Sequence, residues 1–542
     1  MTLVLDRRLL LKAGTFGLAA LSTPGVAQIL TARGFTHGVA SGEPAARSVL
    51  LWTRYVGSGE TKLRCEVAED EAFRKVAGGG EVTASPAHDC CAKLTVTGLV
   101  PGTWYFYRFV APDGSMSEVG RTRTLPVGEV GRFGIALFSC ANLPFGWFNA
   151  YAHAARRDDL DLVVHVGDYF YEYEYGHYPE HPMPGRRIEP LNETLTLADY
   201  RLRLASYRLD PDLRALHRAF PMVAQWDDHE SANDAYRDGA ENHTPGQEGP
   251  WSVRKAAAQK AYREWMPVSE KSYESYQIGA LATIFRPETR LTGRTEQLDI
   301  GVALKGAGNQ GGDLMKALAA FRDGPWMAAD RTLMGAAQES RLYKDMAASA
   351  KAGTRWQVLA QQVVMGSLKA PPQIAELATS GGDPKVAAAL MAIGAASRAG
   401  LPFNMDSWDG YPAARERLLR AAAEADCNLV VLSGDSHNAW GNDLALEGRP
   451  VGVEYAGQSV TSPGYEDYLP AVAPADLGKA MQAANPGLSF VDTSRRGYVS
   501  MQVTPEAVRG EWHFVPTIAS QGISGVTSEA RAVRWGERRF TA

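Results

Sequence analysis

The chain has 542 residues and a formal net charge of −5, so neither a nucleic acid nor an anionic membrane is an expected partner. At about 150 residues per domain the length suits two to four folding units. Five cysteines are too few for a disulfide scaffold.

The N-terminus opens with Asp6-Arg7-Arg8-Leu9-Leu10-Leu11-Lys12, then an apolar run over 13–21 and small residues to Ala27. That layout predicts a cleavable export signal over 1–27, with the paired arginines addressing the twin-arginine export machinery and a periplasmic or secreted destination. The apolar run falls short of the ~20 residues a membrane span needs. Residues 34–124 read as short alternating strands (48–54, 62–67, 92–97 and 104–110) separated by turns such as Pro112-Asp113-Gly114. Strands at that spacing predict a small β-sandwich of immunoglobulin or fibronectin III type. Cys65 and the pair Cys90-Cys91 leave two readings open, one disulfide or buried free thiols.

After a linker over 125–131 the pattern changes. Apolar runs at 133–138, 160–166, 221–226, 356–365 and 428–432 alternate with helical stretches, predicting an α/β catalytic domain over 132–520. Later runs at 451–455, 497–504 and 511–515 read as a β meander. Residues 270–350 read as an insertion, with Gly306-Ala307-Gly308-Asn309-Gln310-Gly311-Gly312 a flexible loop, because no strand precedes it as a phosphate-cradling fingerprint requires. Residues 386–399 read as an Ala-rich helix and 521–542 as a C-terminal tail.

Four of the apolar runs end in unusual residue sets: Ser139-Cys140-Ala141-Asn142, Gly167-Asp168-Tyr169-Phe170-Tyr171, Trp226-Asp227-Asp228-His229-Glu230 and Ser433-Gly434-Asp435-Ser436-His437. Residues just past the carboxyl ends of parallel strands face the crevice where ligands bind. One such Asp is more often a helix N-cap than a ligand, and His165, by strand alternation, faces the core. Four sets together predict a shared metal site. A thiolate with a phenolate, Cys140 with Tyr171, favours ferric iron. The oxygen ligands Asp228, Asp435 and Asn142 suit calcium, magnesium or manganese, and Asp168 can bridge two ions. Two ions ~3.5–4 Å apart clamp the oxygens of an in-line displacement at phosphorus, and His229 is expected either to protonate the leaving oxygen or to hold a phosphoryl oxygen.

These four sets, with Gly38-Val39-Ala40-Ser41-Gly42-Glu43-Pro44, Leu51-Trp52-Thr53-Arg54 and the run Glu454 to Gly464, resemble the alkaline phosphatase D, or PhoD-like, family of the metallophosphoesterase superfamily. The Gly-Asp-x-x-Tyr set is also similar to that of purple acid phosphatases. The resemblance implies a metallophosphoesterase-type α/β sandwich behind the small β-sandwich. It also implies a phosphomonoesterase or phosphodiesterase holding Fe3+ and one or two Ca2+, with Mn2+ or Mg2+ as substitutes for calcium. Carried over, Cys140, Asp168, Tyr171 and His437 hold iron; Asp168, Asp228, Asp435 and Asn142 hold calcium; His229 assists catalysis. Asp228 is preferred to Asp227 on alignment with an Asn-His-Glu pattern. Two departures stand out. Phe285-Arg286-Pro287-Glu288-Thr289-Arg290 replaces a Leu-Asp-Thr-Arg segment and is expected to line the pocket, whereas Glu43 replaces an Asp in the accessory module and is expected to matter little. Competing functions are a phospholipase D-like diesterase, a zinc hydrolase of another superfamily and an exported protein that binds metal or phosphate without catalysis.

Overall fold

The computed structural model describes residues 29, 31–301, 313–377 and 384–541, with side chains described from 390 onward in the last span. The expected signal over 1–27 and the glycine-rich stretch 306–312 lie outside the described residues.

Seven strands form the N-terminal part: β1 (Gly34–Gly42), β2 (Ser48–Val56), β3 (Thr61–Ala68), β4 (Val76–Ala84), β5 (Cys91–Thr97), β6 (Trp104–Val110) and β7 (Gly120–Arg123). Alternation sets their faces: in β6, Tyr105, Tyr107 and Phe109 are buried while their neighbours are half-buried. The sheet β4-β3-β6-β7 packs these rings against Val49 and Leu51 of β2, giving the expected sandwich. All five cysteines are free thiols, so the disulfide reading gives way to the other. Cys65 sits in the sandwich core, where burial pushes its thiol up to about 12.

The sandwich is not a separate bead. The end of β1 pairs in parallel with β10 (Pro221–Ala224), Ser41 opposite Pro221 and Gly42 opposite Met222. Through this pairing β1, β2 and β5 continue a nine-stranded sheet with β8 (Phe133–Phe138), β9 (Leu162–His165), β18 (Gly497–Val503), β19 (Ala507–Phe514) and β20 (Thr527–Arg534), in the order β20-β19-β18-β8-β9-β10-β1-β2-β5. A side chain at Gly42 would collide with the Pro267 carbonyl at 2.1 Å, which is why glycine stands at this junction.

A seven-stranded sheet faces the first. It contains β11 (Glu274–Ile278), β12 (Ala282–Arg286), β13 (Trp356–Ala360), β14 (Leu429–Ser433), β15 (Ala439–Leu446), β16 (Arg449–Ala456) and β17 (Leu488–Asp492), ordered β11-β12-β13-β14-β16-β15-β17. The 270–350 span is therefore partly sheet rather than an insertion. Its two strands have five residues each and are joined by a tight turn, too short for periodicity to reveal them.

Alternation along the buried strands of the first sheet feeds two cores. Ile135, Leu137, Leu162 and Val164 meet Ile284, Val358, Val430 and Val453 between the sheets, while Ala136, Phe138 and Val163 face an outer layer that includes Tyr200, Leu204 and Trp265. His165 also faces that layer, where its Nε2 lies 2.9 Å from the Tyr151 hydroxyl, as its position in the alternation predicts. The parallel strands β8, β9 and β10 thus bring the first three of the four residue sets to one end of one sheet, and β14 brings the fourth from the facing sheet.

The residues read as a tail form β20, which pairs with β19 along eight positions, and Phe540 packs on Tyr455 with ring centroids 5.0 Å apart. Truncation after Gly525 removes the buried Val533 and Phe540, a loss of about 4 kcal/mol at roughly 2 kcal/mol per buried side chain. Spread over an unfolding entropy of about 2 cal/mol/K per residue, that lowers the thermal midpoint by about 4 °C. An unchanged midpoint in a calorimetric scan would mean that β20 adds no stability.

Candidate metal centre

Backbone hydrogen bonds tie the first two strand ends to each other and to the run that ends at Gly464. Cys140 and Ala141 N–H groups donate to the carbonyls of Gly167 (3.2 Å) and Asp168 (2.8 Å), and Val460 N–H to that of Ser139 (3.0 Å). Close approach explains two glycines. A Cβ at Gly167, where φ is +113°, would lie 2.3 Å from Asp227 Cβ, and one at Gly434 would lie 2.4 Å from Ser139 Cβ. Cys140, Asp168, Asp435 and His437 all hold φ between 52° and 66°, a region costly to residues with a Cβ and often occupied at functional sites.

These turns aim their side chains at one point. One ligand atom each from Cys140, Asp168 and His437 lies within 4.8 Å of the other two. Tyr171 joins them: its hydroxyl stands 3.0 Å from Asp168 Oδ2 and 3.1 Å from His437 Nε2, and accepts from Ser462 Oγ at 2.7 Å. His437 Nδ1 donates to the Pro463 carbonyl at 2.8 Å, which leaves Nε2 as a lone-pair donor facing the cluster. Burial pushes His437 down to about 3, so it stays neutral. Burial, with the Asp168 charge, raises both the Cys140 thiol and the Tyr171 phenol well above their ordinary values.

Asp168 also meets Asp228 and His229 within 4.8 Å, and Asp228 meets Asp227 and Asp435. Asp168 and Asp228 are thus the shared members of three overlapping groups. Burial raises Asp168 and Asp435 well above the usual carboxylate range and pushes Asp227 up to about 7. Burial acts the same way on Asp228, yet Arg290 and His229 hold it below that range. Asp168 Oδ1, Asp227 Oδ2 and Asn142 Oδ1 are buried and hydrogen-bonded to nothing, an arrangement that cations stabilise. Asn142 turns its amide nitrogen to the Tyr178 carbonyl at 3.2 Å. The donor set fits metal ions: sulfur, phenol and imidazole at one end, carboxylates at the other.

Several site residues carry no sequence signal of this kind. Arg290 is fully buried with its guanidinium among four carboxylates: Asp227 at Nε, Asp406 and Asp435 at 2.8 Å and 3.0 Å from Nη2, and Asp228 at 3.9 Å. Asp406 comes from a loop that follows no strand. The segment expected to line the pocket instead lies beneath the carboxylates. Glu288, wholly buried, accepts from Trp226 Nε1 (2.9 Å) and from the N–H groups of Arg290, Leu291 and Thr292 (2.7 Å each), which shapes the loop that delivers Arg290. Glu43 is more connected than expected. Its Oε1 lies 3.5 Å from Arg286 Nη2, and Arg286 Nη1 donates to the Ala224 carbonyl where β10 ends. Glu230 braces both central loops, accepting from the N–H groups of Asp168 (3.1 Å), Tyr169 (2.6 Å) and Asp227 (2.7 Å).

Above the carboxylates opens a cleft of about 430 Å³, walled by Tyr173, Tyr178, Tyr465 and Tyr468 and floored by Asp168, Asp228, Asp435 and His229. Burial works against charge on His229, but Asp228, Glu172 and Asp168 raise it well above its ordinary value. His229 thus shares the cleft floor with the carboxylates, a ring nitrogen within 4.8 Å of ligand atoms of Asp168 and Asp228.

A two-sheet α/β sandwich with this site defines a phosphoric ester hydrolase, and comparison with known proteins agrees. The family model "PhoD-like phosphatase" matches residues 135–512 and "PhoD-like phosphatase, N-terminal domain" matches 21–126. Alkaline phosphatase D of Bacillus subtilis (strain 168) is 33% identical over 514 residues, covering 90% of this chain and 79% of its own. A solved structure described as "Structure of PhoD" superposes with a TM-score of 0.75 at 30% identity, covering 94% of this chain and 92% of its own. The chain belongs to the PhoD-like phosphatase family.

Removing one partner of a buried ion cluster leaves uncompensated charge, at a cost of about 3–5 kcal/mol. Arg290→Met is therefore expected to lose roughly that much stability in urea denaturation of metal-free protein. Stability equal to wild type would show that Arg290 does not hold the carboxylates together.

Proposed function

We propose that this protein is an exported, metal-dependent phosphoester hydrolase that acts on phosphomonoesters under alkaline conditions, with phosphodiesters as a second substrate class. The observation that carries the reading is the meeting of the unpartnered buried Asp168 Oδ1 with Asp228, Asp435 and a raised His229 on one cleft floor. Cys140, Asp168, Tyr171 and His437 would hold a ferric ion, and Asp168, Asp228 and Asp435, with Asn142 as a further donor, would hold calcium or a substitute for it. Such ions supply Lewis acidity, neutralising phosphoryl oxygens and making a water nucleophilic at moderate pH.

The chain's own groups do the rest. Arg290 fixes Asp227, Asp406 and Asp435 in place, and Glu230 locks the two loops that carry Asp168 and Asp228. His229 donates a proton to the leaving oxygen, so that an alkoxide need not be expelled. The tyrosine walls hold the alcohol portion of the ester and shield the floor from bulk water. Residues 1–27 act as the twin-arginine signal.

Metal-replete protein recovered from outside the cytoplasm is expected to hydrolyse p-nitrophenyl phosphate, and more slowly bis(p-nitrophenyl) phosphate. Chelation should abolish both activities, and His229→Ala should lower kcat about 100-fold or more on a monoester with an alkyl leaving group such as ethyl phosphate, and far less on p-nitrophenyl phosphate. Full turnover after chelation, or no turnover on either ester, contradicts the reading. Faster hydrolysis of the diester would instead make the protein a phosphodiesterase.

A further inference from the structure

Two tyrosines from different loops meet at the wall of the cleft. Tyr178 comes from the loop after β9 and Tyr468 from the one-turn helix Tyr465–Tyr468 after β16, yet their hydroxyls lie 2.6 Å apart. Each half of the contact is fixed from behind. Tyr178 stands edge-on to Phe145 with ring centroids 4.7 Å apart, and its carbonyl accepts from Asn142 Nδ2 at 3.2 Å. On the other half, the Tyr465 N–H donates to Asn438 Oδ1 at 3.1 Å, the Tyr465 ring stands edge-on to Phe403 at 5.1 Å, and Glu466 pairs with the buried Arg496. Tyr468 itself is 54% exposed, which places the contact at the mouth of the cleft rather than at its floor. Among the described residues no other hydrogen bond joins the 172–190 loop to the Tyr465–Tyr468 turn.

The rest of the rim is of another kind. Asn233 and Asp234 line the cleft from the loop after β10, and Asn404 and Asp406 from a second loop. Carboxylates and amides make that side a poor bed for an apolar group, which would strip water from them without replacing its hydrogen bonds. An in-line displacement at phosphorus sets the incoming and leaving oxygens on one line and the other three oxygens around the equator. In a monoester all three are small. In a diester one of them carries a carbon arm, which leaves the phosphorus sideways and needs its own apolar space. The tyrosine side is the apolar side, the leaving alcohol already rests there, and the hydroxyl contact closes the gap between its two halves.

We propose that Tyr178 and Tyr468 form a clasp that determines specificity: joined, they admit a phosphoryl group with one ester arm and obstruct the second arm of a phosphodiester. This rests on the reading of the protein as a hydrolase that prefers monoesters, and it names the residues that set the preference. Discrimination of this kind comes from what a site blocks rather than from what it binds. The contact carries it and not the rings alone, because each ring stands on its own loop and the bond between the hydroxyls holds the two loops together.

The test varies the second arm and keeps the leaving group, on the full-length, metal-loaded protein. Methyl p-nitrophenyl phosphate and phenyl p-nitrophenyl phosphate carry the same charge and expel the same p-nitrophenolate, and they differ chiefly in the size of the arm. The readout is the ratio of their kcat/KM values, phenyl over methyl, in each variant against wild type. A loss of metal or of general activity lowers both values and leaves that ratio where it was. Tyr468→Ala is expected to raise the ratio about 10-fold, the scale on which a pocket discriminates by size. Tyr178→Phe and Tyr468→Phe keep both rings and break the contact, so each should raise it about 3-fold, and the double variant no more than either one, since both remove the same bond. A ratio unchanged or lowered in Tyr468→Ala, Phe variants that match wild type, or Phe effects that multiply overturn the clasp. Failure of the underlying reading looks different: wild type that hydrolyses phenyl p-nitrophenyl phosphate faster than p-nitrophenyl phosphate has no monoester preference, and the clasp falls with it.

Discussion

Like charges crowded in a dry place are the constraint around which this protein is built. Asp168, Asp227, Asp228, Asp406 and Asp435 converge with two buried guanidiniums beside them, Arg290 among four of them and Arg294 on Asp406 alone. Two guanidiniums cannot offset five buried carboxylates, and burial drives most of these carboxylates toward protonation. Bound cations would resolve the imbalance, and sulfur, phenol and neutral imidazole on one side of Asp168 set the two ends of the cluster chemically apart.

The fold supplies the means of crowding. Three parallel strands of one sheet and one of the facing sheet end at the site, and after three of the four, β8, β9 and β14, the chain turns through positive φ at Cys140, Asp168, Asp435 and His437. Glycines at 167 and 434 allow the backbones to approach, and Glu230 fastens the turns through their own N–H groups. The N-terminal sandwich is part of the same scaffold, since β1 continues the sheet beside β10 and Glu43 reaches Arg286 under the site. A change in the accessory module is thereby coupled to the strand that delivers Asp227 and Asp228.

Much of this was legible in the sequence for a simple reason. Cys140, Asp168, Tyr171, Asp228, His229, Asp435 and His437 each lie just past an apolar run, so the end of the strand points to the candidate site residue. The β8 run and the strands of the sandwich were equally plain, because a buried strand or a strict alternation leaves a clear pattern. Arg290 and Asp406 sit in loops whose courses depend on tertiary contacts, and Glu172 and Glu230 gain meaning only from what their oxygens face. Short strands such as β11 and β12 have too few residues for a period, and β20 alternates too weakly, with a single buried position, Val533. The joining of β1 to β10 is a pairing between residues far apart in the chain, which no local pattern encodes.

The central claim is that the strand ends hold two unlike kinds of ion, one kept by Cys140 and Tyr171 and the other by carboxylates. Elemental analysis of the protein as isolated, taken together with its visible absorption, tests it most directly. The account predicts iron and calcium together and a visible phenolate charge-transfer band that disappears in Tyr171→Phe. Zinc alone, or a fully active protein that carries no iron, would contradict it.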